Sequence, residues 1–130
     1  MTRYLIDTHI LLWLLAGSSR ITQALHMTLA DPRHTVYVSA ASAWELAIKV
    51  NLGKLDVPPN LDHWLPAEIA AARLTPLPVQ FAHALGVEQL PRHHTDPFDR
   101  LMIAQAQIEN LTLVSADRIF DAYDVRLLRG

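Results

Sequence analysis

The chain contains no cysteine, so disulfides, thiolate metal sites and thiol nucleophiles are excluded at once. Any bound metal must be held by oxygen or imidazole. Glycine is scarce: four residues and no G-x-G array leave no phosphate-cradling loop of the nucleotide-binding kind. No nucleophile elbow is present either. An excess of basic charge is also missing. A formal net charge of −2 argues against a broadly basic nucleic-acid binder, yet it is compatible with an enzyme whose acidic site is offset by local Lys and Arg. Long apolar runs are absent too. The run from Ile10 to Ala16 in MTRYLIDTHILLWLLAG is too short to span a bilayer, and Asp7 and His9 interrupt it on the N-terminal side. The expectation is a soluble, cytoplasmic chain with no membrane contact.

Half of the 130 residues are hydrophobic, enough for a sizeable core, and the length suits one domain spanning 1–130. Short apolar strand candidates fall at 4–6, 36–38, 74–79, 111–114 and 125–128. Between them, helical spacing and good helix formers occupy about 8–16, 21–31, 40–52, 61–73, 79–86 and 97–109. Strands that alternate with helices and read as continuous apolar runs indicate a sheet covered on both faces. The fold class is therefore α/β, a three-layer α/β/α domain around a mostly parallel central sheet. There is no internal repeat, low-complexity tract or domain-splitting linker. The prolines at 58, 59, 66, 76, 78 and 91 sit at predicted boundaries, and Gly53 suits the end of a helix.

Thirteen acids are an ordinary number for this length, so only their placement is informative. Asp7 directly follows Tyr4-Leu5-Ile6, and Asp117 follows Leu113-Val114-Ser115-Ala116. In open parallel sheets, ligands bind outside the carboxyl ends of the strands, where both acids stand. Aspartate at a strand-to-helix junction is equally a favoured helix cap. Glu45, in SAASAWELAIKVNLGKL, projects near Ala41 and Leu52 at the margin of an apolar face, while Lys49 one turn on offers an ordinary surface pair. In HTDPFDRLMIAQA, Asp96 before Pro97 has the form of an N-cap and first helical residue. Asp99 then falls where an acid gains from the helix dipole, but it lies among Met102, Ile103 and Ala106. A carboxylate facing apolar neighbours is costly without a partner or a cation. If Asp7, Glu45, Asp99 and Asp117 meet, their repulsion requires a cation, and an all-oxygen donor set selects Mg²⁺ or Mn²⁺. Such a site suits phosphoryl transfer.

Taken in order, LIDTHILLWLL with Asp7, SAASAWELAIKVNLGKL with Glu45, HTDPFDRLMIAQA with Asp99 and LVSADRIFDAYDV with Asp117 resemble the PIN-domain family, and within it the VapC-type ribonuclease toxins of bacterial toxin–antitoxin pairs. The four segments spread over nearly the whole chain. The resemblance implies a parallel-sheet domain whose carboxylates bind Mg²⁺ or Mn²⁺ and cleave single-stranded RNA. Asp7 and Asp99 would be the principal ligands, Asp117 would complete the cluster, and Glu45 would act through water. It also implies hydroxyl support from Thr8 and Ser115, a homodimer, and a small antitoxin packing beside the active site; of the two acids in DPFD, Asp99 is favoured as the ligand and Asp96 as the cap, with a supporting place beside the metal ligands left open for Asp96.

The remaining candidates are less sharply marked. His93 and His94 are adjacent, cannot face one way on a regular element, and read as solvated loop residues; His9 can approach the site from its place after Asp7. Arg100, Arg118, Lys49 and Lys54 are the basic residues nearest the acids, with Arg118 the first candidate for an RNA phosphate contact. Trp13, Trp44 and Trp64 fit either core or an interface. Two other functional readings stay open. One is a receiver-like Mg²⁺-binding signalling domain, disfavoured because the acid after Ile6 stands alone. The other is a non-catalytic partner-binding module in which the acids are caps and surface pairs.

Overall fold

A computed structural model describes residues 2–130. Among them, five strands and six helices alternate: β1 (Arg3–Ile6), α1 (Thr8–Leu15), α2 (Gln23–Ala30), β2 (Thr35–Ser39), α3 (Ala40–Asn51), α4 (Leu61–Ala71), β3 (Thr75–Leu77), α5 (Phe81–Gly86), α6 (Pro97–Glu109), β4 (Thr112–Ser115) and β5 (Leu127–Arg129). Short 3₁₀ turns at Val87–Gln89 and Arg118–Ala122 flank α6 and β4. Every pairing in the sheet is parallel, and the strand order is β3-β2-β1-β4-β5. The chain therefore builds outward from β1 through β2 to β3, returns across the sheet, and builds outward again through β4 to β5. The point of reversal lies between β1 and β4, where doubly wound sheets open a crevice at their carboxyl edge. The order also differs from the 2-1-3-4-5 arrangement of receiver-like domains, which removes that alternative.

Strand pleat explains the two cores. Tyr4 and Ile6 of β1, with Val36, Val38 and Val114, face one cluster closed by Ile10, Leu11, Leu25, Leu29, Leu46, Leu65 and Ile69. Leu5 and Leu113 point the other way, onto Met102, Ile103 and Ala106 of α6 and onto Phe120. Successive side chains of a strand alternate between faces, so a continuous apolar run is what a doubly covered strand requires.

Element ends follow local chemistry. Gly53, at φ +71, terminates α3: its amide donates to the Val50 carbonyl and the Lys54 amide to that of Lys49. Two prolines depart from the boundary expectation. Pro66 lies inside α4, on its exposed side where water can serve the freed carbonyl. Pro76 lies inside β3, an edge strand that pairs only with β2 and can spare an amide. The last strand begins two residues later than the apolar run 125–128 suggested, because the Val125 amide is spent on the Tyr123 carbonyl in a turn.

Candidate active site

Asp7 continues β1 by one residue: its amide donates to the Val114 carbonyl, and its carboxylate accepts from the Ile10 amide at 2.8 Å to cap α1. The cap reading is thus correct for Asp7, but it is incomplete. Its second oxygen accepts from the Ser115 hydroxyl at the end of β4, and the residue is 3% exposed. Parallel register, with Ile6 opposite Val114, brings these two strand ends side by side. Burial pushes the Asp7 carboxyl above its ordinary value, against the pull of Ser115, the Ile10 amide and His9, and Asp117 adds a further upward push.

Glu45 satisfies both of its sequence readings. One oxygen pairs with Lys49 at 3.1 Å, while the other accepts the buried Thr8 hydroxyl at 2.7 Å. The side chain is 13% exposed because α3 packs beside α1, with Thr8 also 2.9 Å from Ser42. The wheel neighbour Leu52 is not part of that inner margin; it is exposed at the end of α3.

On α6, Asp96 accepts from the Asp99 amide at 3.0 Å and is the helix cap, with Pro97 at the first helical position. Asp99 stands one turn in, beside the fully buried Met102 and Ile103. Its partner is His94, whose Nε2 lies 3.3 Å from Oδ2. Burial pushes the Asp99 pKa up to about 7, and the charges of Asp96, Asp7, Glu45 and Asp117 push in the same direction. Acids from three other elements, together with the cap of its own helix, therefore converge electrostatically on one carboxyl group. Asp117 is the outermost member: exposed, it caps the 3₁₀ turn through the Ile119 amide, while its own amide donates to Ser115.

Several expectations require correction. His94 is not a freely solvated loop residue, because Nδ1 lies 2.7 Å from the Tyr123 hydroxyl and the half-buried ring is held between Asp99 and Tyr123. Arg100 is not free for RNA: it donates to the carbonyls of Pro91 and Leu90 and to the Tyr123 hydroxyl. Lys49 is occupied by Glu45, whereas Lys54 and Arg118 remain exposed. Trp44 is not core, being 59% exposed and edge-to-face with Phe98. Spacing could not reveal His94 or Tyr123, since their contacts depend on where the loop before α6 meets the turn after β4.

The donor set suits a hard divalent ion, being carboxylate and hydroxyl oxygen with negative charge in excess of its local cations. Among the described residues, no three His, Asp or Glu side chains stand close enough to grip one ion together. Each acid instead holds a local partner: Ser115, Lys49, His94 or the Ile119 amide. The excess charge nevertheless fits a cation, since Asp99 is held near pH 7 partly by its acidic neighbours.

A parallel sheet covered on both faces, with acids gathered at its reversal point, defines a carboxylate-lined α/β domain. The chain belongs to the PIN domain family, whose model matches residues 4–126. A curated relative, Ribonuclease VapC16 of Mycobacterium tuberculosis, is 42% identical over 53 residues, a match spanning 41% of this chain and 38% of that protein. The chain thus covers less than half of this relative's length. Among solved structures, VapBC2 from Rickettsia felis bound to a DNA fragment from its promoter superposes with a TM-score of 0.74 at 17% identity, covering 99% of both chains. DNA-bound VapBC from Salmonella typhimurium gives 0.71 at 16% identity, covering 99% of this chain and 98% of that one. These likenesses show a shared fold.

Proposed function

We propose that the protein is a divalent-metal-dependent endoribonuclease, hydrolysing RNA phosphodiester bonds without a covalent intermediate, and that it is the toxin of a type II toxin–antitoxin pair acting in the cytoplasm. The observation that carries this reading is the convergence of Asp7, Glu45 and Asp117 on Asp99, whose pKa is raised to about 7 by burial first and by the charges of Asp96 and these three acids after it. Family membership supports it, as do the ribonuclease name of the curated relative and the toxin–antitoxin complexes among the structural neighbours. No helix of the described residues is long and apolar enough to cross a membrane.

Asp7, Asp99 and Asp117 would hold Mg²⁺ or Mn²⁺, with Glu45 reaching it through water. Bound there, the metal supplies a more acidic water and neutralises charge developing on the phosphate. The chain's own groups fix the geometry. Ser115 and the Ile10 amide hold the two oxygens of Asp7, while Thr8 and Lys49 hold those of Glu45. Asp99 is oriented through a relay. Arg100 donates to the Tyr123 oxygen, the Tyr123 hydroxyl can donate to His94 Nδ1, and Nε2–H then points at Asp99. That relay sets the tautomer of His94 and keeps its donor on the carboxylate.

An apolar cavity of about 370 Å³ adjoins α1, lined by Leu12, Trp13, Leu15, Leu55, Val57 and Trp64. It supports docking of an antitoxin segment with large apolar side chains. Cleavage of a fluorogenic single-stranded RNA by wild type, Asp7→Asn and Asp99→Asn, with and without EDTA, tests the nuclease reading. Chelation and either substitution are expected to lower cleavage by at least about a hundredfold while the circular dichroism spectrum is kept. Equal cleavage by wild type and Asp99→Asn would overturn the assignment.

A further inference from the structure

The carboxylates open on one side into a crevice of about 300 Å³, bounded by Asp7, His9, Trp13, Arg20, Ala116 and Asp117. Its far wall is basic and aromatic. Gly17 ends α1 in the left-handed region at φ +63, and the Ser18 amide returns to the Trp13 carbonyl at 2.9 Å. That turn folds Arg20 back, so its guanidinium carbon lies 5.4 Å from the centre of the Trp13 ring. Arg20 is exposed and, among the described residues, forms no ion pair. The His9 ring, also exposed, stands 6.0 Å from Trp13 at a tilt of 40°.

A guanidinium spread over an indole is oriented for a planar, bidentate anion such as phosphate, and the exposed His9 ring with the accessible part of the half-buried Trp13 suits an unstacked base. The two ends of the crevice carry opposite charge. An anion entering it is repelled by Asp7 and Asp117 and drawn to Arg20. We propose that this crevice is a subsite for one nucleotide of the RNA, adjoining the cut phosphate, with its base against Trp13 and His9 and its outer phosphate on Arg20. The volume lies at the low end of small-ligand sites, roughly 300–1,000 Å³, as suits a single nucleotide. Arg20 is thereby a positioning residue, and the inference rests on the ribonuclease reading above.

The test separates the two. In the non-cleaving Asp99→Asn background, a fluorescein-labelled single-stranded RNA oligonucleotide is titrated by anisotropy at several salt concentrations. Arg20→Gln is expected to weaken binding about tenfold and to reduce the salt slope by about one, with Arg20→Lys recovering part of both. In the cleaving protein, Arg20→Gln raises KM while kcat stays within about twofold, as loss of uniform binding requires. With Trp44→Phe and Trp64→Phe leaving Trp13 as the single tryptophan, the same RNA without its label is expected to quench indole emission. If wild type cleaves RNA but Arg20→Gln leaves affinity and KM unchanged, the crevice holds no RNA phosphate on Arg20 and the proposal is overturned. A Trp13 emission indifferent to RNA overturns the stacking geometry. A wild type that neither binds nor cleaves RNA overturns the ribonuclease reading, and this subsite with it.

Discussion

Asp99 is the residue on which the site's electrostatics are concentrated, and its raised pKa is also a statement about stability. Unfolded, the carboxyl titrates near its ordinary value of 3.8; folded, it titrates at about 7. Between these values the folded chain holds a proton that the unfolded chain has released, so this group's contribution to stability falls as pH rises from about 4 to about 7. Above that window the penalty of the charged form is constant. Asp99→Asn removes it, because the amide keeps the shape without the charge. The variant is therefore expected to melt higher than wild type at pH 8, by several degrees, with the difference vanishing below about pH 4. Mg²⁺ should raise the wild-type melting temperature at pH 8 and have much less effect on Asp99→Asn, as linkage to a site on the folded state demands. Melting curves at both pH values check each statement. An unchanged or lower melting temperature for Asp99→Asn at pH 8 would mean that the buried, acid-flanked carboxylate carries no such penalty.

At the scale of elements, one side chain gathers the backbone carbonyls of the segment between α5 and α6. Arg100, in the first turn of α6, donates to the carbonyls of Pro91 at 2.8 Å, Leu90 at 3.3 Å, and Val87 and His94 at 3.4 Å. It also reaches the Tyr123 hydroxyl beyond β4 at 3.2 Å. Carbonyls in an irregular segment have no ladder to join, and a guanidinium with five N–H donors can serve several at once. Arg100→Ala is expected to cost roughly 2 kcal/mol in urea unfolding, since partners lose their donor while some regain water. It should also lower cleavage more than the stability loss explains, because the loop carrying His94 loses its anchor. Arg100→Ala cleaving like wild type would mean that His94 needs no such anchoring.

At the scale of the molecule, three of the large apolar side chains left outside both cores, including the two most exposed, stand together. Phe81 and Leu85, one turn apart on α5, are 88% and 71% exposed, and Ile108 at the end of α6 is 47% exposed. A Cβ on Gly86 would come within 3.1 Å of Ile108, so the two helices join there into one surface. Leaving such a surface in water forfeits roughly 25 cal/mol per Å² of burial. A second copy of the chain is the occupant the homodimer expectation supplies. Phe81→Asp is expected to convert a dimer to a monomer in sedimentation equilibrium without lowering the melting temperature of the separated chain. A wild type that is monomeric at all concentrations would remove the expectation.

Periodicity and strand-end acids were enough to infer a parallel α/β fold, the cap role of Asp96 and the inward lean of Asp99, because these depend on spacing along one element or on the next residue after a strand. The order of strands, by contrast, depends on how crossovers pack, and no local pattern encodes it. So it was the placement of β1 beside β4 that set Asp7 against Ser115 and opened the crevice at the reversal point. The same holds for the groups that spacing misassigned. Arg100 and His94 looked free because their partners lie on other segments, and Arg20 went unremarked because its position over Trp13 follows from a turn at Gly17. Local sequence determined which side chains carry charge and which way each element faces; tertiary packing decided which charges meet, because burial and proximity are properties of the assembled layers.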